Sequence, residues 1–427
     1  MTPAIPTSLR STLTKPVAVF GRGVSGEGVL ALLEKWGVPA IVYDRTGTPF
    51  TPEVAVSHGL VVFAPGFPPN HPWLVTAVAA GLECLGELDF ASLFWRGRIV
   101  AVTGTNGKTT LTEFLTHALR QAGENAHATG NIGRPLARLV VDRSGGTDHE
   151  IAVCEVSSFQ AETMQHFHAD ATLWTNFAED HLERHPGLEA YFSAKWNLVV
   201  RTTEDGFFAG SSVIAHARKF NRTLPRSAWV ETEGVAADPR LEATVFANYP
   251  QRENYLLAAA WWRASGREPA ELAKAADSFR LGRHRMTRVG AIDGATYWND
   301  SKATNFHAVE AAVSQFDRPV LLIAGGRTKG GGLSDFVKRL APAVREIFLI
   351  GEVSAELAAA CVRENLPHVF CETLREAVQR AAEQAGSGDH VVLSPGFASF
   401  DMFHDYQDRG HQFEQFVQEL GKTANLR

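Results

Sequence analysis

Cysteines are few in the 427-residue chain, and they lie far apart. The four of them, Cys84, Cys154, Cys361 and Cys371, form no CxxC pair, so the sequence predicts neither a zinc site nor a disulfide framework. Long apolar runs are also missing. The N-terminal segment MTPAIPTSLRSTLTK has no apolar core of signal-peptide length, and no stretch reaches the roughly eighteen uninterrupted apolar residues of a membrane span. We therefore expect a cytoplasmic protein that makes no membrane contact.

A surplus of basic residues is absent as well. The net charge is −6 at pH 7, which argues against general nucleic-acid binding. A phosphate-binding enzyme can still be acidic overall, because it needs positive potential only locally. The hydrophobic content of 45% and the charged content of 21% are ordinary for a globular protein. At a typical domain size of roughly 150 residues, the chain length suggests about three domains.

Apolar, β-branched runs alternate with amphipathic segments through most of the chain. Nine runs stand out: PVAVFG, AIVYD, GLVVFAPG, RIVAVTG, EIAVCEV, ATLWTNF, PVLLIAGG, EIFLIG and HVVLSPG. This alternation is typical of α/β proteins with parallel sheets flanked by helices. The runs fall into three sets, which predict domains at residues 1–96, 97–281 and 282–427. The segment between Phe207 and Phe246 is less regular and is assigned only loosely.

The run RIVAVTG leads into a loop that is suited to binding phosphate. Its glycines allow backbone N–H groups to surround an anion, and the helix that follows adds partial positive charge. Lys108 would reach the β- and γ-phosphates of a nucleotide, and Thr109 a Mg²⁺ ion. The usual pattern has a glycine where Val102 stands, so this loop is a shortened form, and an ordinary strand-to-helix turn is the alternative. The predicted nucleotide contacts are Gly104, Thr105, Asn106, Gly107, Lys108, Thr109 and Thr110.

A second glycine-rich turn, Gly21–Gly26, follows the first apolar run, and Asp44 ends the next one. This arrangement matches a dinucleotide-binding fingerprint, although a single match of this kind is weak. A nicotinamide or flavin site, a site for another nucleotide-like ligand and a merely tight turn all remain open. A nicotinamide-dependent oxidoreductase is therefore the competing function, and a non-catalytic nucleotide-binding or motor protein is a third possibility.

Polar clusters follow several apolar runs, where α/β proteins bind their ligands. Glu155 begins the cluster EVSSFQ and is suited to Mg²⁺. His181 ends NFAEDH and could ligate a metal or orient a phosphate, or could be an ordinary surface or core histidine. Lys195 would ordinarily be a solvated helix lysine. The cluster WNDSKATN, residues 298–305, is too polar for core packing and favours a binding site.

Six segments, taken together, resemble the Mur ligases in order and spacing over nearly the whole chain. They are GTNGKTT, EVSSFQAE, NFAEDHLERH, AKWNLV, NDSKATN and SPGFASFDMFHDYQDRGHQF. NDSKATN and SPGFASFD are similar to the branch that adds D-glutamate to UDP-N-acetylmuramoyl-L-alanine. The resemblance implies a Rossmann-like UDP-binding domain, a central P-loop domain that binds ATP and a Rossmann-like C-terminal domain that binds the amino acid.

The resemblance also implies a reaction in peptidoglycan precursor synthesis. ATP phosphorylates the alanyl carboxylate to give an acyl phosphate, and the amine of D-glutamate then displaces phosphate to form an amide. The expected cofactors are ATP and two Mg²⁺ ions, with Lys195 converted to a carbamate by CO₂, because an unmodified ammonium would repel Mg²⁺. The expected partners are the two substrates, without nucleic acid or membrane, and the expected state is a monomer.

Family roles can be assigned to matching positions. The implied catalytic residues are Lys108, His181 and Lys195. The implied metal ligands are Thr109, Glu155, His181 and Lys195. Further ATP contacts are Asn254, Arg285, Asp300 and Lys302. The UDP-substrate residues are Ser25, Asp44, Arg45, Gly66, Asn131, Ser157 and Gln160. The D-glutamate residues are Thr304, Lys329, Ser399, Phe400 and Tyr406.

Overall fold

The computed structural model describes residues 5–225, 230–232, 235, 238–328 and 330–424, which build three β-sheets. The chain packs into two compact units. The first comprises Met1–Phe177, Gly187–Ala247 and Gln251–Phe279, and the second comprises Ala178–Pro186, Asn248–Pro250 and Arg280–Arg427. None of the described helices is both long and apolar enough to cross a membrane.

The N-terminal sheet has four parallel strands in the order β2-β1-β3-β4. Its strands are β1 Val17–Phe20, β2 Ala40–Tyr43, β3 Leu60–Phe63 and β4 Glu83–Gly86, and its helices are α1 Val24–Lys35, α2 Pro52–Ala55, α3 Pro72–Ala79 and α4 Glu87–Ser92. β1 and β3 are buried along their whole length, as expected for central strands of a parallel sheet. Short 3₁₀ turns at Thr7–Leu9 and Thr12–Thr14 precede the sheet.

The central sheet has five parallel strands in the order β6-β7-β5-β8-β9. Its strands are β5 Arg98–Thr103, β6 Asn125–Gly130, β7 Glu150–Glu155, β8 Ala171–Trp174 and β9 Phe207–Ala209. Its helices are α5 Lys108–Gln121, α6 Leu136–Asp142, α7 Ser158–Ala161, α8 Leu188–Val199, α9 Ser211–Lys219, α10 Gln251–Ala264 and α11 Pro269–Ser278. A 3₁₀ turn lies at Pro239–Leu241. Strand β5 lies between β7 and β8, so the loop after β5 opens at the switch point of the sheet.

The N-terminal and central sheets share one apolar cluster, which explains why they form a single unit. Side chains of β1 and β3, such as Val19 and Val62, belong to the same cluster as Ala101 of β5 and Cys154 of β7. Asp89 of α4 adds polar contacts, because its carboxylate accepts the backbone N–H groups of residues 165, 166 and 167 at 2.6–2.9 Å. Helix α4 therefore fastens the N-terminal sheet to the central one.

The sheet of the second unit has six strands in the order β10-β11-β15-β12-β13-β14. Its strands are β10 Thr287–Ile292, β11 Ala295–Asn299, β12 Val320–Gly325, β13 Val344–Ile350, β14 His368–Phe370 and β15 His390–Leu393. Its helices are α12 Phe306–Val313, α13 Leu333–Leu340, α14 Ser354–Arg363, α15 Leu374–Gln384 and α16 Tyr406–Ala424, with a 3₁₀ turn at Ala341–Ala343. Strand β10 pairs antiparallel with β11, in a hairpin. Separate apolar clusters cover the two faces of the sheet.

Candidate active site

The loop between β5 and α5 is held in a fixed shape by neighbouring side chains. The N–H groups of Thr105 and Asn106 donate to the carbonyl and side-chain oxygens of Asn176, at 3.0 and 2.9 Å. Thr175 Oγ1 donates to the Asn106 carbonyl at 2.6 Å. Gly107 has φ +81° and caps α5, so the N–H groups of the first helical turn open toward the loop. The N-terminus of a helix is suited to binding phosphate.

Asn254 of α10 lies directly against this loop. A Cβ atom at Gly107 would lie 2.6 Å from Asn254 Oδ1, so the position requires glycine both for its backbone angle and for this close approach. The Asn254 amide is oriented by a bond to Gln251 Oε1 at 2.9 Å. The structure thus places an amide predicted to contact ATP beside the predicted phosphate loop.

Two threonines follow Lys108 in the first turn of α5. Thr109 is half-buried, and Thr110 Oγ1 is buried without a hydrogen-bond partner among the described residues.

Two lysines converge on the same loop. Lys108 Nζ donates to the carbonyls of Gly104 and Thr105 at 2.9 and 2.8 Å. Lys195 of α8 is only 1% exposed, and its Nζ donates to the Gly104 carbonyl at 2.9 Å and to Thr103 Oγ1 at 3.3 Å. The interpretation of Lys195 as a solvated helix lysine was therefore wrong, because its side chain points into the first unit beside the phosphate loop.

A buried carboxylate stands at the end of β7, the strand beside β5. Glu155 Oε1 accepts a bond from Asn131 Nδ2 at 2.9 Å. Its second oxygen, Oε2, is buried and has no hydrogen-bond partner among the described residues. An unsatisfied buried oxygen is costly unless a ligand completes it. Glu155 therefore fits the predicted role of a cation ligand, although the described residues hold no group of three His, Cys, Asp or Glu side chains that could bind a metal by themselves.

Ser157 and Gln160, predicted to contact substrate, bind each other in this structure. The Gln160 N–H donates to Ser157 Oγ at 3.2 Å, while Gln160 Oε1 accepts the Ser157 N–H at 2.9 Å. This reciprocal pair is a capping box, which starts the short helix α7. The S-x-x-Q spacing signals such a cap in the sequence.

The glycine-rich turn after β1 is closed by Asp44. The Asp44 carboxylate accepts the backbone N–H groups of Arg22 at 2.7 Å and Arg45 at 2.6 Å, and these two bonds lower its pKa. A Cβ at Gly26 would overlap the Gly21 carbonyl oxygen, so only glycine allows α1 to approach β1 this closely. Ser25 is half-buried at the start of α1, whereas Arg45 and Gly66 are exposed.

In the second unit, β11 and β15 bring together groups from two predicted segments. Asp300 follows β11, and its carboxylate accepts bonds from Ser394 Oγ at 2.9 Å and from the Met286 N–H at 3.2 Å. Burial raises the pKa of Asp300 to about 7, while those bonds and the nearby charge of Arg285 partly oppose the rise. The Asp300 carboxyl is therefore the acidic group whose charge changes near neutral pH in this predicted ATP segment.

Lys302 and Tyr406 form a second contact in this unit. Lys302 Nζ lies 3.9 Å from the centroid of the Tyr406 ring, a cation–π arrangement. The structure thus joins a residue predicted to bind ATP with one predicted to bind D-glutamate. Ser399 is buried, whereas Phe400 is 66% exposed.

His181 lies in a different part of the second unit, on the segment Ala178–Pro186. Its Nδ1 is 3.1 Å from Glu183 Oε1, and its neighbour Asp180 accepts a bond from Asn305 Nδ2 at 3.1 Å. This segment and Thr304 line one cleft. The cleft lining comprises residues 179–182, 304–306, 330, 396 and 397. Ser399, Phe400 and Tyr406 are not part of that lining, and Lys329 lies outside the described residues.

Sequence reasoning missed several residues that shape these sites. Asn176 and Thr175 fix the phosphate loop, and Asn305 fixes the His181 segment. Arg409 of α16 is fully buried and binds the NDSKATN segment. Asn176 begins the motif NFAEDH and Asn305 ends the motif NDSKATN, so their position after a strand was a usable signal. Arg409 lies inside the segment SPGFASFDMFHDYQDRGHQF, but no role was predicted for it, because an arginine of an amphipathic helix is ordinarily a surface residue.

Two family models match the chain. The model described as "Mur ligase middle domain" matches residues 102–237, and that described as "Mur ligase, glutamate ligase domain" matches residues 284–397. The first region contains the phosphate loop, and the second contains the segment NDSKATN.

Full-length relatives agree with the family models. The chain is 31% identical to the UDP-N-acetylmuramoylalanine–D-glutamate ligase of Alkaliphilus metalliredigens, over 96% of this chain and 99% of that protein. It is also 31% identical to the enzyme of the same name from Aquifex aeolicus, over 94% of this chain and 98% of that protein. These alignments cover both described units.

Solved structures share the fold at low sequence identity. The UDP-N-acetylmuramate-alanine ligase of Thermotoga maritima matches with a TM-score of 0.57 and 16% identity, over 95% of this chain and 99% of that one. A MurF ligase of the same organism, solved in complex with ADP, matches with a TM-score of 0.59 and 15% identity, over 85% of this chain and 95% of that one. The predicted α/β fold class is thereby confirmed.

Proposed function

The chain belongs to the Mur ligase family, and we propose that it performs the reaction of that family's D-glutamate-adding branch. The enzyme is an ATP-dependent ligase that joins D-glutamate to UDP-N-acetylmuramoyl-L-alanine through an amide bond, in peptidoglycan precursor synthesis. Its relatives carry the name of this activity over nearly their full length. The alternative of a nicotinamide-dependent oxidoreductase finds no support in these relatives.

The loop Gly104–Gly107 with Lys108 supports phosphoryl transfer from ATP. We propose that Lys108 leaves the carbonyls of Gly104 and Thr105, which it binds in this structure, to hold the β- and γ-phosphates. The N-terminus of α5 would add partial positive charge. Transfer of a phosphoryl group between two anions depends on positioning and on charge neutralisation, and these groups supply both. The alanyl carboxylate thereby becomes an acyl phosphate, and the amine of D-glutamate displaces phosphate from it.

The residues around the loop fit a Mg²⁺ ion, which would neutralise phosphate charge when bound. Thr109 and Glu155 would hold the first ion, and the unsatisfied Glu155 Oε2 supports this assignment. His181 and Lys195 are proposed for a second ion. We propose that Lys195 reacts as a neutral amine with CO₂ to give a carbamate and a proton, because its burial beside the loop places an ammonium where a cation is expected.

The finer assignments follow the same proposal. UDP would bind at the glycine-rich turn near Ser25, Asp44, Arg45 and Gly66, and the sugar-alanine arm near Asn131, Ser157 and Gln160. Arg285, Asp300 and Lys302 would contact ATP, and Thr304, Lys329, Ser399, Phe400 and Tyr406 the D-glutamate. Three domains at residues 1–96, 97–281 and 282–427 would carry these sites. We also propose a cytoplasmic monomer that binds no nucleic acid, since ATP and nucleotide sugars are cytoplasmic metabolites.

The position of Lys108 against the phosphate loop is the observation that carries this proposal. Lys108→Ala should lower kcat for ADP release by at least about a hundredfold, the usual cost of losing one group that stabilises transition-state charge. The assay is coupled ADP release with ATP, Mg²⁺, UDP-N-acetylmuramoyl-L-alanine and D-glutamate. Lys338→Ala, at an exposed lysine of α13, is the matched control and should retain activity. Normal turnover of Lys108→Ala would refute the placement of the triphosphate.

A further inference from the structure

Among the described residues of the second unit, Arg409 is the largest fully buried cationic side chain. Its guanidinium donates from Nε to Ser301 Oγ at 3.0 Å, from Nη2 to the Ser301 carbonyl at 2.9 Å and from Nη1 to the Phe397 carbonyl at 3.2 Å. It forms no ion pair within 4 Å among the described residues, although Asp401 and Asp300 lie near enough to interact with its charge. A buried cation is costly unless its donors are all used.

The partners of Arg409 belong to the two segments proposed to bind substrates. Ser301 lies between Asp300 and Lys302, and its Oγ donates in turn to the Tyr406 carbonyl at 2.8 Å. Lys302 rests on the ring of that tyrosine. Phe397 lies two residues before Ser399. A single guanidinium therefore connects the ATP segment to the D-glutamate segment.

We propose that Arg409 is a positioning residue that holds Asp300 and Lys302 for ATP and the Phe397–Ser399 segment for D-glutamate. The inference rests on the proposed function. Arg409 acts through the backbone and hydroxyl of Ser301, so it touches neither substrate. An apolar residue could fill the same core volume without the cost of burying charge, but it could not fork across two loops as a planar guanidinium does.

The charge of Arg409 also acts on the Asp300 carboxyl. The groups around that carboxyl are Ser394 Oγ, the Met286 N–H, and the cations Arg285 and Arg409. His284 and Glu414 lie nearby, joined to each other and to Asn299 of β11. The two arginines favour the ionised carboxylate. Neutralising Arg409 should therefore make Asp300 harder to ionise.

Steady-state kinetics of three variants test the inference. Arg409→Lys keeps the charge and loses the fork, and Arg409→Gln loses both. Ser301→Ala removes the hydroxyl that binds Arg409 Nε and the Tyr406 carbonyl, while leaving the arginine in place. Arg375→Gln is the control. It breaks an exposed ion pair between Arg375 of α15 and Glu419, which lies on the same helix as Arg409. Initial rates of ADP release are measured with ATP, D-glutamate or the UDP substrate varied in turn, over pH 6–9, and thermal melting measures the folded fraction.

For Arg409→Lys we expect the KM values for ATP and D-glutamate to rise about tenfold, the effect of losing one charged hydrogen bond. The KM for the UDP substrate, whose proposed residues lie in the first unit, should stay the same. Ser301→Ala should raise the same two KM values by a smaller factor. Arg409→Gln should in addition move the acidic limb of the pH–rate profile upward by about half a pH unit or more.

Three outcomes would overturn the inference. The first is that a folded Arg409→Lys enzyme keeps its KM values. The second is that kcat of the Arg409 variants falls only in proportion to their unfolded fraction while all KM values stay the same. The third is that all three KM values rise equally. If Arg409→Lys or Arg409→Gln does not fold, Ser301→Ala decides between the same patterns. Absence of D-glutamate-dependent turnover in the unmodified enzyme would refute the proposed function instead, so the two failures are distinguishable.

Discussion

Glu87 is an internal carboxyl whose ionisation should govern the stability of the first unit. It lies in α4 and is 1% exposed. Its Oε1 accepts the Ala137 N–H at 2.8 Å, while Oε2 is buried without a hydrogen-bond partner among the described residues. Burial raises the pKa of Glu87 from 4.5 to about 7. The folded state therefore holds this proton more tightly than the unfolded chain.

The sign and size of the effect follow from linkage. The stabilising contribution of protonated Glu87 is complete below pH 4.5 and is lost as pH rises through 7. Because one pKa unit corresponds to about 1.4 kcal/mol, ionised Glu87 costs the folded state about 3 kcal/mol at pH 8. Glu87→Gln keeps the oxygen that accepts the Ala137 N–H and cannot ionise. The stability advantage of the variant should therefore grow by about 2 kcal/mol between pH 5 and pH 8.

Urea unfolding at the two pH values, followed by tryptophan fluorescence, measures this difference. Trp36 and Trp95 belong to the apolar cluster of the first unit and report on its unfolding. Asp89→Asn, two residues along the same helix, is a control with the opposite sign. It should destabilise at both pH values by about 1–3 kcal/mol, because its new amide nitrogen would face at least one of the three backbone N–H groups that the carboxylate accepts. A Glu87→Gln difference that does not change with pH would refute the reasoning.

Three further predictions concern the candidate active site. Lys195→Ala should lose at least about a hundredfold in kcat and should regain part of that rate when acetate or formate is added. Lys195→Arg should not respond to either carboxylate. Absence of rescue in a folded Lys195→Ala enzyme would contradict the carbamate. Gly107→Ala should raise the KM for ATP at least about tenfold, because the new Cβ would lie 2.6 Å from Asn254 Oδ1; an unchanged KM would place ATP elsewhere. Since burial raises the pKa of Asp300 to about 7, kcat/KM for ATP should fall as pH drops through 7 in the unmodified enzyme. Asp300→Asn should be slow, and its pH–rate profile should lack this acidic limb. A variant that keeps the acidic limb would assign it to another group.

The alternation of apolar runs predicted much of the fold. Each of the nine runs contains a strand, because a strand buried on both faces needs a continuous apolar stretch. Strands that the pattern missed are short or lie at sheet edges, such as β4, β9 and β14. The antiparallel hairpin of β10 and β11 was also missed, since β10 has no buried residue along its length. Edge strands with one solvated face leave a weaker signal in the sequence.

The sequence indicated candidate site residues where a motif fixes the backbone, and it indicated fewer of the contacts between residues that are distant along the chain. The phosphate loop is defined by Gly107 and Lys108, whose spacing reflects local geometry. The connection of Arg409 to Ser301 spans more than a hundred residues, and no periodicity encodes it. Ser157 and Gln160 illustrate the reverse problem, because the same polar pair serves a helix cap as well as a proposed substrate site.

The central claim is D-glutamate addition, and phosphate release tests it most directly. The unmodified enzyme is given ATP, Mg²⁺ and UDP-N-acetylmuramoyl-L-alanine, together with D-glutamate, L-glutamate, D-aspartate, L-alanine or no amino acid. We predict release with D-glutamate and only background with the others. Release that prefers another amino acid would keep the ligase chemistry but contradict the assigned substrate, and no release with any of them would contradict the proposed function itself.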